Sequence, residues 1–216
     1  IKIFKYWYEE QQMAKSMVQE KLEAELKFLK GQIHPHFLFN TLNNLYALTL
    51  KKSDAAPEVV LRLSGMMDYM LYDASAPYVV LEQEIESLHN YIALERIRYG
   101  DDLDISFEVE GEISQVKIAP LLLQPFVENS FKHGISESIE EKWIHIDVKV
   151  IDRVLYFEVE NSKIPEDQKD DAKRVSGGIG LKNVRRRLQL LYQGQYELTT
   201  EEKSRSFLVN LRLPLK

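Results

Sequence analysis

The sequence predicts an α+β protein: a helical hairpin that pairs with a second copy into a four-helix bundle, followed by helices packed on one face of a mostly antiparallel sheet. Three observations carry this prediction. From about Glu9 to Leu50 apolar residues recur at spacings of three and four or their sums, and shorter stripes follow in 58–74 and 81–98, the mark of amphipathic helices. From Leu103 the texture changes to alternation, in Leu103 to Val109, Trp143 to Val150 and Leu155 to Val159. Two further helical stretches, Pro120 to His133 and a segment from about Gly180, fall between the strands, an order that belongs to an α+β layer arrangement.

Composition bounds the function. The 216 residues suffice for one large core or two small ones. With 44% hydrophobic residues, 29% charged residues and a net charge of -6, the balance is that of a soluble protein and argues against nucleic acid as the main partner. No cysteine is present, which excludes disulfides, thiolate metal sites and a cysteine nucleophile. The chain opens on Ile1 rather than Met, so we read it as a piece of a longer protein. The stretch Ile1 to Tyr8 mixes aromatic and basic residues, as chains do on leaving a bilayer at its cytoplasmic side; the fraying start of an apolar helix accounts for it equally well.

Taken in order, Val18, Leu22, Leu26, Leu29, Ile33, Phe37 and Leu48 form the seam of one long helix from about Glu9 to Leu50. Ser53 to Pro57 breaks it, and Pro57 can open the next helix in its first turn. Val59, Leu63, Met66 and Met70 give that second helix its stripe, and the two make a hairpin whose seam needs a partner copy. A third helix runs over about 81–98, with Leu81, Ile85, Leu88 and Ile92 inward and Gly100 ending it. A tight turn at Ile151–Val154 joins two of the strands, and final strands cover about 195–200 and 206–213. Residues 162–177 have no period and read as a loop that is either functional or disordered.

Three stretches could carry chemistry. In Lys30 to Asn44, Pro35 lacks an amide donor and crowds the carbonyl of Gly31, so a kink is expected just before His36. His36 lies on the shoulder of the stripe through Ile33 and Phe37, beside Asn40, while His34 points roughly 200° away at about 100° per residue. The two histidines cannot share a metal; the bland alternative is a kinked core helix with structural histidines. In Pro125 to Gly134, helical spacing places Asn129, Lys132 and His133 on one face. An amide oxygen suits a hydrated magnesium ion that bridges phosphates, and Lys132 supplies a point charge for them; a polar helix end with a Glu128–Lys132 surface pair is the alternative. In Ser176 to Asn183, glycines directly precede a helix, where free backbone amides and the helix dipole favour an anion. The run Arg185–Arg187 reads as including solvated charges opposite the apolar face of that helix.

Together, Ile33-His34-Pro35-His36-Phe37-Leu38-Phe39-Asn40, then Leu81-Glu82-Gln83-Glu84 with Tyr91 and Arg98, then Pro125 to Gly134, then Gly178 to Val184 resemble in order and spacing the LytS/YehU-type sensor histidine kinases. The resemblance runs from about residue 20 onward. It implies a Bergerat (GHKL-type) α/β sandwich as ATP-binding domain, and boundaries of 1–76 for the dimerising phosphoacceptor hairpin, 77–100 for a connecting helix and 101–216 for the catalytic domain. By position, it implies His36 as phosphoacceptor, Asn129 as magnesium ligand, and Lys132 and His133 at the nucleotide phosphates. Asn161 falls at the adenine, and Gly178, Gly180, Leu181 and Asn183 fall in the glycine-rich nucleotide turn. ATP with magnesium, a homodimer, a response-regulator aspartate as receiver, and a cytoplasmic location below an N-terminal membrane sensor are further implications.

The chain departs from the family pattern at three places. His34 stands where the family usually has Asn, creating a rival phosphoacceptor. The family's Asp-Asn-Gly at the adenine turn is here Asn161-Ser162-Lys163, and an Asn amide accepts only a neutral hydrogen bond where Asp would accept a charge-assisted one. Phe37, not an acid, follows His36, which leaves Glu128 as candidate base or a neutral imidazole that needs none. Two rivals to a kinase follow: a degenerate dimeric scaffold with weak or no ATP binding, and a protein that uses ATP only as a clamp.

Overall fold

The computed structural model describes residues 35–135, 139, 141–164 and 179–216. The expected seam from Val18 to Ile33, His34, the backbone before Pro35, and Gly178 lie outside these residues. Helix α1 spans Pro35–Leu50. It ends where the sequence breaks: Lys52 adopts a left-handed conformation with φ 52, and the amide of Ser53 returns to the carbonyl of Leu48 at 2.9 Å. Helix α2, Ala56–Leu71, starts with Pro57 in its first turn, as expected. Val59, Leu63 and Met66 are buried on its stripe, but the fourth buried residue is Tyr69 and Met70 is only half-buried. The reason is polar: the Tyr69 hydroxyl donates to the carboxylate of Glu84.

Helix α3, Leu81–Tyr99, buries Leu81, Ile85, Leu88 and Ile92 as predicted, and α2 packs along it. Its start is capped by Gln83 Oε1, which accepts the amide of Val80 at 3.2 Å. Gly100, with φ 68, ends it.

The main sheet contains β2 (Asp104–Glu110), β4 (Trp143–Ile151), β5 (Val154–Ser162), β6 (Glu197–Glu202) and β7 (Ser206–Pro214) in the order β2-β4-β5-β7-β6. Only β2 and β4 are parallel; the other pairings are antiparallel, as expected for most of the sheet. A two-residue turn with both central residues left-handed, Asp152 at φ 49 and Arg153 at φ 59, joins β4 to β5 and matches the strand twist. Register aligns Ile146 with Val159, Val148 with Phe157 and Phe157 with Leu211, so one face of the sheet is continuously apolar.

Helices cover that face. Helix α4, Gln124–Gly134, lies on β4 and β5, with Phe126 against Phe157 at 5.9 Å between centroids. Helix α5, Ile179–Tyr192, packs on α4. Two corrections apply here. Helix α4 begins at Gln124, not Pro120, because Leu121 is left-handed at φ 54; Pro125 is the proline of its first turn. In α5, Val184 and Leu188 are buried and Arg185 and Arg186 exposed, but Arg187, read as part of a solvated run, is only 1% exposed.

A second sheet, too short to leave a periodic signal, pairs β1 (Val79–Val80) with β3 (Lys117–Ile118). The C-terminal residue closes on it through two backbone bonds between Lys117 and Lys216.

Candidate functional site

Helix α4 is the element around which the predicted site residues gather. Its two sides meet different neighbours. On one side, Phe131 meets Tyr91 of α3 edge-on at 5.6 Å, and Tyr91 in turn meets Phe37 at 4.7 Å. Phe37 is buried and is the residue after His36, so the start of α1 is tied through two rings to the helix that carries Asn129. Glu128 lies on this same side. Burial, then the Glu95 carboxylate and after it the Glu128 charge, pushes the Tyr91 phenol well above its ordinary range, and burial raises Glu95 likewise.

The helix ends at Gly134, directly against Asn161 of β5. A Cβ at position 134 would lie 2.9 Å from both Asn161 Cβ and Asn161 Nδ2, so only glycine permits this approach. Ser162 Oγ donates to the Gly134 carbonyl at 3.0 Å and accepts the Trp143 amide at 3.1 Å, locking the end of the helix to the sheet. Asn161 is buried, and its Nδ2 donates to the Ser162 carbonyl at 2.8 Å. Its Oδ1 is therefore the end of the amide available to accept from a ligand.

Asn129 is half-buried one and a half turns before Gly134, and its Nδ2 is buried without a hydrogen-bond partner. Such a group costs stability, about 1–3 kcal/mol, unless something outside the chain satisfies it. Lys132 and His133 are exposed in the last turn. Desolvation, followed by the neighbouring Lys132 charge, holds His133 below the ordinary imidazole range even though the residue as a whole is exposed, so near neutrality it is largely uncharged. Asn129, Lys132, His133 and Asn161 thus belong to one helix and the strand end it touches. Leu181 and Asn183 are half-buried in the first turns of α5, where Gly180 is the second residue. Nothing is described of the His36 side chain.

The family described as Histidine kinase matches residues 24–103. The sensor protein LytS of Enterococcus faecalis is 31% identical over 95% of this chain, and the sensor histidine kinase BtsS of Escherichia coli K12 is 30% identical over 89%. Over most of its length the chain is similar to sensor histidine kinases. It spans 37% and 34% of the length of those two relatives. The histidine kinase domain of an Erythrobacter litoralis blue-light activated kinase superposes with a TM-score of 0.47 at 19% identity, covering 91% of this chain and 96% of that one.

The stretch Asn161-Ser162-Lys163 departs from the family pattern, and the structure gives each replaced residue a protein partner. Ser162 holds Gly134 and Trp143, and Lys163, buried, pairs with Glu202 at 2.6 Å. Sequence reasoning gave no role to three residues near the candidate site, although Glu84 stands in one of the quoted motifs. Glu84 and Arg187 are each 1% exposed, and Tyr69 joins them. A signal was present for two of them: Glu84 interrupts the stripe Leu81, Ile85, Leu88, and Arg187 interrupts the stripe Val184, Leu188, Leu191. A charged residue at a core position is rarely idle.

Proposed function

We propose that this chain is the cytoplasmic catalytic part of a two-component sensor histidine kinase, with 1–76 as phosphoacceptor hairpin, 77–100 as connector and 101–216 as ATP-binding domain. The observation that carries the reading is the unpaired, buried Nδ2 of Asn129 on a helix tied on one side to Phe37 and on the other to Asn161. A donor left unsatisfied there suits an acceptor oxygen of a ligand, such as a phosphate, between those neighbours. ATP is the phosphodonor. A ring nitrogen of His36 forms the new N–P bond as the bond from the γ-phosphorus to the β,γ-bridging oxygen breaks and ADP leaves; Glu128 takes the proton that the second ring nitrogen releases. Magnesium, when bound, neutralises phosphate charge, and Asn129 is the residue that would hold it, through its Oδ1 rather than the unpaired Nδ2. Lys132 supplies a further positive charge, Asn161 Oδ1 accepts from adenine, and Gly178, Gly180, Leu181 and Asn183 close over the phosphates. The phosphoryl group then passes to an aspartate of a response regulator.

The protein works as a homodimer anchored through a membrane segment N-terminal to this stretch. Among the described residues no helix is long and apolar enough to cross a membrane. Support for the dimer comes from two uncovered stripes: Phe39, Leu42, Tyr46 and Leu50 on α1, and Val60, Leu61, Met67 and Leu71 on α2.

Autophosphorylation with radiolabelled ATP tests this reading. Acid-labile, base-stable label is expected; His36→Gln removes it while nucleotide binding persists, and His34→Asn leaves it near the starting level. Label that survives His36→Gln and vanishes in His34→Asn assigns the chemistry to the wrong histidine. A second reading, the dimeric scaffold with weak or no ATP binding, is favoured by the commitment of Ser162 and Lys163 to protein partners. Asn161→Asp discriminates: on the kinase reading it tightens nucleotide binding about tenfold, the size of a hydrogen bond improved by roughly 1.4 kcal/mol. Calorimetry that detects no nucleotide with either residue supports the scaffold.

A further inference from the structure

The segment Pro120–Leu123, which launches α4, is held by two buried charges of opposite sign. Glu84 Oε1 accepts the amides of Leu122 and Leu123 at 2.8 and 3.0 Å, and its Oε2 accepts the amide of Leu121 at 2.8 Å together with the Tyr69 hydroxyl. Arg187 donates to the carbonyls of Pro120 and Leu121 at 2.6 Å each. The helix has no side-chain cap of its own; Glu84, from another helix, instead ties down the three amides that lead into it, with the added attraction of a carboxylate to the positive helix end. Leu121 is left-handed at φ 54, a conformation a branched side chain avoids, and it persists because both its amide and its carbonyl are taken.

We infer that Glu84 is a positioning residue for the nucleotide site, and that the hydroxyl of Tyr69 couples helix α2 of the hairpin to that site through it. The inference rests on the kinase reading above and goes beyond it. The geometry leads there in three steps. Asn129 lies only five residues past Gln124, the first residue of α4, and a slip of one residue in the launch turns the helix by about 100°. The amides that set the launch end on one carboxylate of α3, and the carbonyls end on one guanidinium of α5, the helix that begins at Ile179-Gly180. The fourth donor on Glu84 belongs to α2, so movement of α2 along α3 loads or releases the carboxylate that fixes α4. None of the three side chains belongs to the proposed ligand contacts. Buried ionic groups are no better for stability than well-packed apolar ones, whereas their directional bonds specify one register.

The test measures the dissociation constant of Mg-ATP by calorimetry on the whole chain, with a thermal melt of each variant beside it. For Glu84→Gln, which keeps shape but turns an amide donor toward backbone donors, binding weakens at least tenfold in a chain that still melts cooperatively. For Tyr69→Phe, binding weakens two- to fivefold, and the double variant is no worse than Glu84→Gln alone, because the hydroxyl acts only through that carboxylate. Hydrogen exchange at the amides of residues 121–124 quickens in Tyr69→Phe without nucleotide present. Should Glu84→Gln fail to fold, Tyr69→Phe and Arg187→Lys carry the same comparison. A Glu84→Gln chain that melts lower yet binds within twofold of the unchanged chain makes the residue purely structural and overturns the inference. Additive effects of the two substitutions overturn the coupling to α2. An unchanged chain that binds no Mg-ATP at all overturns the kinase reading itself, and this inference with it.

Discussion

The sheet half and the helical pair α1–α2 treat their apolar residues in opposite ways. In the sheet half, Ile144, Ile146, Val148, Leu155, Phe157, Val209, Leu211 and Leu213 all lie on the covered face and are buried. In α1 and α2, Phe39 is 68% exposed, Tyr46 65% and Leu61 73%, at spacings that form stripes. One region completes its core within a single chain; the other carries an apolar surface that the described residues leave exposed. The difference teaches where each region's stability comes from. For the sheet half it is intramolecular burial, and for the helices, on the homodimer proposed above, it is association, which depends on protein concentration.

The largest expected effect tests the complete half. Phe157 sits at the centre of the sheet, against Phe126 and between Val148 and Leu211, so Phe157→Ala leaves a cavity and costs about 3–5 kcal/mol in a denaturant titration, without changing oligomeric state. A loss under about 1 kcal/mol would mean the core is not where the register places it.

Next comes the incomplete half. Leu42→Glu with Leu61→Glu puts a charge on each stripe and weakens the dimer roughly 100-fold or more, about 3 kcal/mol, with the melt of the sheet half little changed. Sedimentation measures it. A dimer that persists, or a parent chain that is monomeric at tens of micromolar, on the order of usual assay concentrations, breaks the contrast drawn here.

The smallest effect sits at the junction of the two regions, where Tyr91 touches Phe37 and donates to Glu95 at 3.2 Å. Burial holds Glu95 above the usual carboxylate range, so the folded chain keeps this proton to higher pH than the unfolded one. Its contribution to stability is full below the ordinary carboxylate pKa and is lost as pH rises through the raised value. Glu95→Gln should therefore gain stability relative to the parent as pH climbs from about 4.5, near the ordinary carboxylate pKa, to 7. Melting curves across that range that keep a constant offset would show that Glu95 titrates as an exposed acid.

The residues themselves determined a good deal. Periods of 3.6 and 2, the Pro57 and Gly100 boundaries, and the left-handed turn at Asp152–Arg153 are local, because each depends on sterics and hydrogen bonds within a few residues. The placement of Asn129, Lys132 and His133 on one helix face was legible for the same reason, and family motifs supplied their roles. What only the tertiary structure decided is what these elements meet. The start of α4 moved from Pro120 to Gln124 because Glu84, 37 residues before Leu121, and Arg187, 66 after it, take up its backbone groups. Tyr69 displaced Met70 from the buried stripe because a carboxylate stood within reach of its hydroxyl. Arg187 left solvent because two carbonyls awaited it. The reason is common to all three. A polar group goes inside only where its partners are fixed in space, and those partners are distant in the chain, so no local pattern can announce them.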